Sequence, residues 1–165
     1  MLKRLLYILF CIASLNFCAS ERVVASHSMG VDLTYICLGN GEYAFTLSFY
    51  RDCSGIAAPS SATISLVAPS CNQNLSITLP QISSQEISAL CPTALSTCQG
   101  GSQPGAEQYI YSDTISLIPC PDWTFSWSHC CRNPLITNLQ SPSSQDIYIQ
   151  ATLDNTGPDC NSSPI

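Results

Sequence analysis

Apolar residues recur at every second position through much of the chain, the period of β-strands with one buried face. Leu33, Tyr35 and Cys37 alternate with small or polar neighbours, and after Gly39-Asn40-Gly41 the alternation resumes at Tyr43, Phe45, Leu47 and Phe49. Two such runs around a Gly/Asn cluster predict a hairpin whose loop length sets the register. A two-residue Asn40-Gly41 turn would set Leu33 opposite Ser48 and Tyr35 opposite Thr46, placing the two apolar rows on opposite faces. A three-residue loop with Gly41 left-handed instead pairs Cys37 with Tyr43, Tyr35 with Phe45 and Leu33 with Leu47, and this is the reading adopted.

Further strands are predicted over residues 62 to 67, 75 to 79, 109 to 117, 123 to 131 and 147 to 153, separated by clusters of Pro, Ser, Gly and Asn. No stretch repeats at helical spacing. About seven strands with no room for crossover helices predict an all-β fold, an antiparallel immunoglobulin-like β-sandwich braced by disulfides. In residues 123 to 131, Trp123, Phe125, Trp127 and Cys131 share the face predicted to be core, and Thr124, Ser126, Ser128 and Cys130 share the other. Residues 89 to 107, with Pro92, Gly100, Gly101, Pro104 and two cysteines, form the longest irregular connection, one that needs a staple.

The amino terminus breaks the alternation: Lys3 and Arg4 precede a continuous apolar run from Leu5 to Ala13 that fades into Cys18-Ala19-Ser20. This is the pattern of a secretory signal peptide over residues 1 to 20, with cleavage as late as Ser26 the second choice. The run falls short of the roughly 20 apolar residues of a bilayer span, and nothing later approaches that length. Lipidation at Cys18 is a minor alternative that Phe17 disfavours. The expected organisation is then a short leader at 21 to 30, a β-sandwich domain at 31 to 160 and the start of a linker at 161 to 165.

Eleven cysteines in 165 residues point to an oxidising compartment. Removing the first twenty residues leaves nine, Cys37, Cys53, Cys71, Cys91, Cys98, Cys120, Cys130, Cys131 and Cys160, so one is unpaired or paired between chains. Cys91 and Cys98, the nearest pair in the long connection, are expected to staple it. Cys37 and Cys131, both inward, are expected to bridge the sheets near the tryptophans, as in immunoglobulin domains. Cys130 and Cys131 face oppositely and are expected to take different partners, a ring between the two being the strained alternative.

Composition narrows the function classes. Charged residues make up 10% of the chain and the net charge is −6; without the first twenty residues, three arginines stand against eleven acids and the charge is −8. A phosphate backbone repels such a surface, so no nucleic-acid partner is expected. His27 and His129 are the only histidines, there is no Gly-x-Ser-x-Gly elbow, and cysteines beside His129 are better read as cystines than as nucleophiles, so no catalytic residue is assigned. Cysteine spacing suits no zinc module, and Asp154-Asn155-Thr156-Gly157-Pro158-Asp159 is read as turn chemistry ahead of a calcium loop, so no metal or cofactor is expected. The acceptor-type sequences at Asn74, Asn161 and Asp113 are read as ordinary strand or loop residues.

Four segments together resemble a known group of proteins: residues 25 to 39 (Ala-Ser-His-Ser-Met-Gly-Val-Asp-Leu-Thr-Tyr-Ile-Cys-Leu-Gly), Tyr50-Arg51-Asp52-Cys53, Cys130-Cys131-Arg132-Asn133-Pro134-Leu135-Ile136-Thr137-Asn138-Leu139, and Cys160-Asn161-Ser162-Ser163-Pro164. In this order they are similar to the amino-terminal region of large secreted surface proteins of Bacteroidota. Such proteins commonly carry immunoglobulin-like or polycystic-kidney-disease-type repeats downstream and end in a gliding-motility-associated or type IX secretion sorting domain. The resemblance covers the whole chain after the signal peptide, departs from the family pattern at Ser28-Met29-Gly30-Val31, and implies that the sequence is truncated at Ile165 relative to the family. It implies a secreted or cell-surface, adhesion-type protein.

The expected function is therefore a non-catalytic extracellular module that presents loops to an extracellular protein or glycan, with the segment from Cys91 to Glu107 as the contact surface. The competing expectation is a stand-alone small secreted ligand binder or protease inhibitor that uses the loop from Cys91 to Cys98.

Overall fold

The computed structural model describes residues 27 to 164, so the predicted signal peptide lies outside the described residues. Seven antiparallel strands, β1 (Ser28–Gly39), β2 (Glu42–Asp52), β3 (Ser61–Ala68), β4 (Gln73–Glu86), β5 (Ala106–Ser116), β6 (Trp123–Cys130) and β7 (Asp146–Leu153), form a nearly closed sheet in the order β1-β2-β5-β4-β3-β6-β7. This is the ABED and CFG strand order of immunoglobulin constant-type domains, with the two halves joined along β4.

The predicted hairpin register is the observed one: Cys37 pairs with Tyr43, Tyr35 with Phe45 and Leu33 with Leu47. Gly41 has φ +78°, a conformation that costs a glycine little and a side-chain-bearing residue more. The shared face is buried. Phe45, Leu47, Phe125 and Trp123 are fully enclosed, and the rings of Phe45 and Phe125 meet edge to face at 4.7 Å, an arrangement worth about 0.5 to 1.5 kcal/mol beyond its buried area. Trp127 packs edge-on to Phe49 at 5.5 Å, while Ser128 on the other face of β6 is exposed.

β4 is much longer than the 75 to 79 predicted. Residues 73 to 80 pair with β3 and residues 81 to 86 with β5, with a register shift between Gln81 and Ser83, so this one strand carries the sheet around its turn. Pro80, with no N–H to give a ladder, sits at the changeover.

The seam between the edge strands β1 and β7 is closed by other means. Tyr35 Oη donates to the Thr152 carbonyl at 2.8 Å. The chain end lies along β1, the Ser163 N–H donating to the Tyr35 carbonyl at 3.0 Å, while the Tyr35 and Cys37 N–H groups donate to the Ser163 and Ser162 hydroxyls, each at 3.0 Å. Residues read as a linker are thus bound to the domain, and β1 opens at Ser28, inside the stretch read as leader. At the other end of the seam the Ser28 N–H donates to the Cys131 carbonyl and the Ser28 carbonyl accepts from the Asn133 N–H.

The disulfides are Cys37–Cys160, Cys53–Cys98, Cys71–Cys120 and Cys130–Cys131, with Cys91 the free cysteine among the described residues. Both expected pairs are therefore corrected. Cys131 adjoins Ser28, and Cys37 lies nine residues further along β1, about 30 Å away at the rise of an extended strand, so Cys37 and Cys131 sit at opposite ends of the fold. Cys98 turns away from Cys91 toward Cys53, which follows β2 and whose N–H donates to the Gly105 carbonyl. Gly105 makes that approach possible, because a Cβ there would stand 2.5 Å from Cys98 Sγ. Cys130 and Cys131 close on each other rather than on separate partners.

Candidate functional site

Three of the four sequence segments that stood out meet at one end of the fold, where β1 begins, β2 and β6 end and β5 starts; the fourth, Cys160 to Pro164, lies against the far end of β1. Asp52, the last residue of β2, is 7% exposed, and its carboxylate accepts from the Ser54 N–H at 2.8 Å, the Ser54 hydroxyl at 2.7 Å and Asn133 Nδ2 at 3.0 Å. Burial opposes the charged form, but these hydrogen bonds, with His27 nearby, outweigh it and hold the Asp52 carboxyl below the usual carboxylate range. Asn133, equally buried, uses its other atom to accept from the Leu135 N–H at 2.8 Å. One asparagine thus ties the chain after β6 to the end of β2 and sets the turn that follows.

Beside this pair, Arg51 forms a salt bridge with Glu107 and donates through Nη1 to the carbonyls of Gly55 at 2.9 Å and Ile56 at 2.8 Å. Tyr109 donates from its hydroxyl to the same Glu107 carboxylate at 2.9 Å, and the guanidinium lies 5.7 Å from the Tyr109 ring centroid. With its guanidinium occupied in this way, Arg51 acts as a brace between β2, β5 and the loop after β2.

Over the Asp52–Asn133 pair lies a groove of about 480 Å³, its apolar walls formed by Met29, Ile87, Leu90, Leu135 and Ile136. Leu135 is 75% exposed and Met29 51%, so two large apolar side chains stand at the rim with their surfaces uncovered. The predicted contact segment contributes only its last part to the groove, Pro104, Gly105 and Ala106. Cys91, Pro92 and Leu95 line a separate cavity of about 470 Å³ with Glu86 and Gln99. The groove-lining residues escaped the sequence reading because they are isolated apolar residues in irregular segments; the pair Leu135-Ile136 after Asn133-Pro134 was the available signal.

Both histidines have explicit surroundings. His27 Nδ1 lies 3.4 Å from the Ser54 hydroxyl, which itself donates to Asp52. The order Asp–Ser–His puts the hydroxyl in the middle, whereas nucleophilic relays place the imidazole between carboxylate and hydroxyl. His129 stacks on Trp127 at 5.3 Å and meets Phe49 edge-on at 5.4 Å. Burial lowers its pKa from the ordinary histidine value, and Asp146 opposes that shift only in part.

The oxygen-rich turn is used structurally. Asp154 Oδ1 accepts from both the Thr156 N–H and its hydroxyl, and Asn155 bonds the Cys120 N–H at 2.6 Å and the Ile118 carbonyl at 3.2 Å. Cys71, Cys120 and Asp122 lie together, but the two sulfurs are bonded to each other and Asp122 accepts from the Ser70 N–H and hydroxyl. Among the described residues no helix is long and apolar enough to cross a membrane. No known protein family, curated protein or solved structure matches the chain.

Proposed function

We propose that this chain is a non-catalytic extracellular module that holds an apolar segment of a partner protein in the groove between residues 87 to 90 and 133 to 136. The observation that carries the reading is the contrast between wall and floor: exposed Met29, Ile87 and Leu135 stand over the buried Asp52–Asn133 pair, whose hydrogen bonds are internally satisfied. Exposed apolar surface on a rigid base suits contact with another apolar surface better than it suits a glycan, which needs free donors and acceptors. Residues 27 to 164 carry ten acidic residues and two arginines, one of them paired with Glu107, so the fitting partner has a basic rim around its apolar contact. Four disulfides suit an oxidising extracellular setting. Attachment to a larger surface protein of the kind found in Bacteroidota is the form of this proposal that the sequence resemblance supports.

The test is binding of the purified mature chain to cell-envelope protein, compared among wild type, Leu135→Asp and the remote surface variant Thr63→Asp. Loss in the first variant alone is expected. Equal binding by all three, binding confined to a glycan array, or substrate turnover that disappears in His129→Ala would each overturn the reading.

A further inference from the structure

We propose that the Cys130–Cys131 disulfide is a redox-sensitive latch on the groove wall, an inference that rests on the groove being the binding surface. The other three bridges join residues 123, 45 and 49 positions apart and so hold distant parts of the chain together; this one joins neighbours and closes no loop. What it fixes is local, and its surroundings say what that is. The segment after Cys131 leaves β6, is stitched to Ser28 by the Cys131 carbonyl and the Asn133 N–H, and to Gln145 by the Arg132 N–H. It then delivers Asn133 to the buried Asp52 carboxylate and places Leu135 and Ile136 in the groove wall. Cys130 is exposed while Cys131 is buried, so a reductant reaches the bond from the Cys130 side.

The chemistry is thiol–disulfide exchange with an external dithiol of the thioredoxin class. Its thiolate attacks Cys130 Sγ, the Sγ–Sγ bond breaks, and its electron pair leaves on Cys131 Sγ, which takes a proton. The second thiol of the reductant then attacks the reductant sulfur of the mixed disulfide and releases Cys130 as a thiolate, which is protonated. The reductant departs oxidised, having given two electrons and two protons. Unbonded sulfurs retreat to van der Waals separation, so the corner between β6 and the wall segment re-forms and the contacts of Ser28 and Asn133 loosen with it. The three long-range bridges keep the rest of the sheet as it was.

The mature protein is titrated with dithiothreitol, alkylated to map free thiols, and followed by hydrogen exchange with mass spectrometry beside a Cys130→Ala/Cys131→Ala variant. Reduction of the ring, and the double variant without reductant, should each raise exchange in residues 131 to 136 and at Ser28 by about tenfold, the signature of local opening, with β2 and β5 unchanged. Unchanged exchange in residues 131 to 136, or a bond that resists the dithiol until the whole chain unfolds, overturns the latch. Nile red bound to the oxidised protein reads the groove separately. Fluorescence insensitive to Leu135→Asp counts against the groove as a binding surface, whereas binding that responds to Leu135→Asp but not to ring reduction counts against the latch alone.

Discussion

Asn133→Ala perturbs the tie between the groove floor and its wall. The substitution removes the Nδ2 donor to Asp52 at 3.0 Å and the Oδ1 acceptor for the Leu135 N–H at 2.8 Å. A hydrogen bond to a charged group contributes about 1.5 to 3 kcal/mol, and a neutral one about 0.5 to 1.5. Ser54 still supplies two donors to the carboxylate and the Leu135 N–H regains water, so the expected loss is about 2 to 3 kcal/mol at neutral pH. Its pH dependence has a definite sign. The Asp52 carboxyl lies lower in the folded state than in the unfolded chain, so its stabilisation is present above the unfolded value near 4 and is lost as pH falls through the lower folded one. The Asn133 contribution through Asp52 should shrink over the same interval. Urea titration of wild type, Asn133→Ala, Asp52→Ala and the double variant gives the coupling directly. Coupling of about 1 to 2 kcal/mol at pH 7 that falls away in acid is expected, and additive effects at pH 7 would refute the assignment of Asp52 as an anion held by Asn133.

Trp127→Ala should cost about 3 to 5 kcal/mol in a denaturant titration and Ser128→Ala no more than about 0.5, because Trp127 is buried against Phe49 and Ser128 is exposed; equal costs would reject the facing of β6. Opening the 123-residue closure with Cys37→Ala/Cys160→Ala removes a bridge whose chain-entropy contribution is about 4.9 kcal/mol, and a drop below about 1 kcal/mol would show that the chain end is not held against β1. Alkylation of a chain beginning at Glu21 under denaturing, non-reducing conditions should label one cysteine, Cys91; a chymotryptic map, cut at Leu90 and Leu95 to part Cys91 from Cys98, that links those two cysteines would contradict the observed pairing.

The hairpin was readable because each strand carries strict apolar alternation and a loop of fixed length, so one register alone lets both rows share a face. β6 was readable for the same reason, its buried Trp123, Phe125 and Trp127 standing two residues apart. The second half of β4 was not: Gln81, Ser83, Ser84 and Gln85 carry no apolar row, and it is backbone pairing with β5 that makes them a strand. Disulfide partners were illegible for a different reason. Cys91 and Cys98 are close in sequence, but pairing follows position in space, and the missing side chain at Gly105 leaves the room in which Cys98 meets Cys53. The site combines both problems, since the Asp52–Asn133 contact spans 81 residues and the groove walls come from irregular segments without periodicity.

Docking of a partner protein in the groove walled by Leu135, Ile87 and Met29 can be read by crosslinking. A photo-reactive benzoylphenylalanine in place of Leu135, compared with the same residue in place of Tyr148 on β7, tests it on the intact disulfide-bonded chain exposed to cell-envelope protein. The expected result is a discrete crosslinked protein from position 135 that is absent from position 148 and is competed away by unlabelled wild-type chain but not by Leu135→Asp. Crosslinks of equal yield and identity from both positions would contradict it.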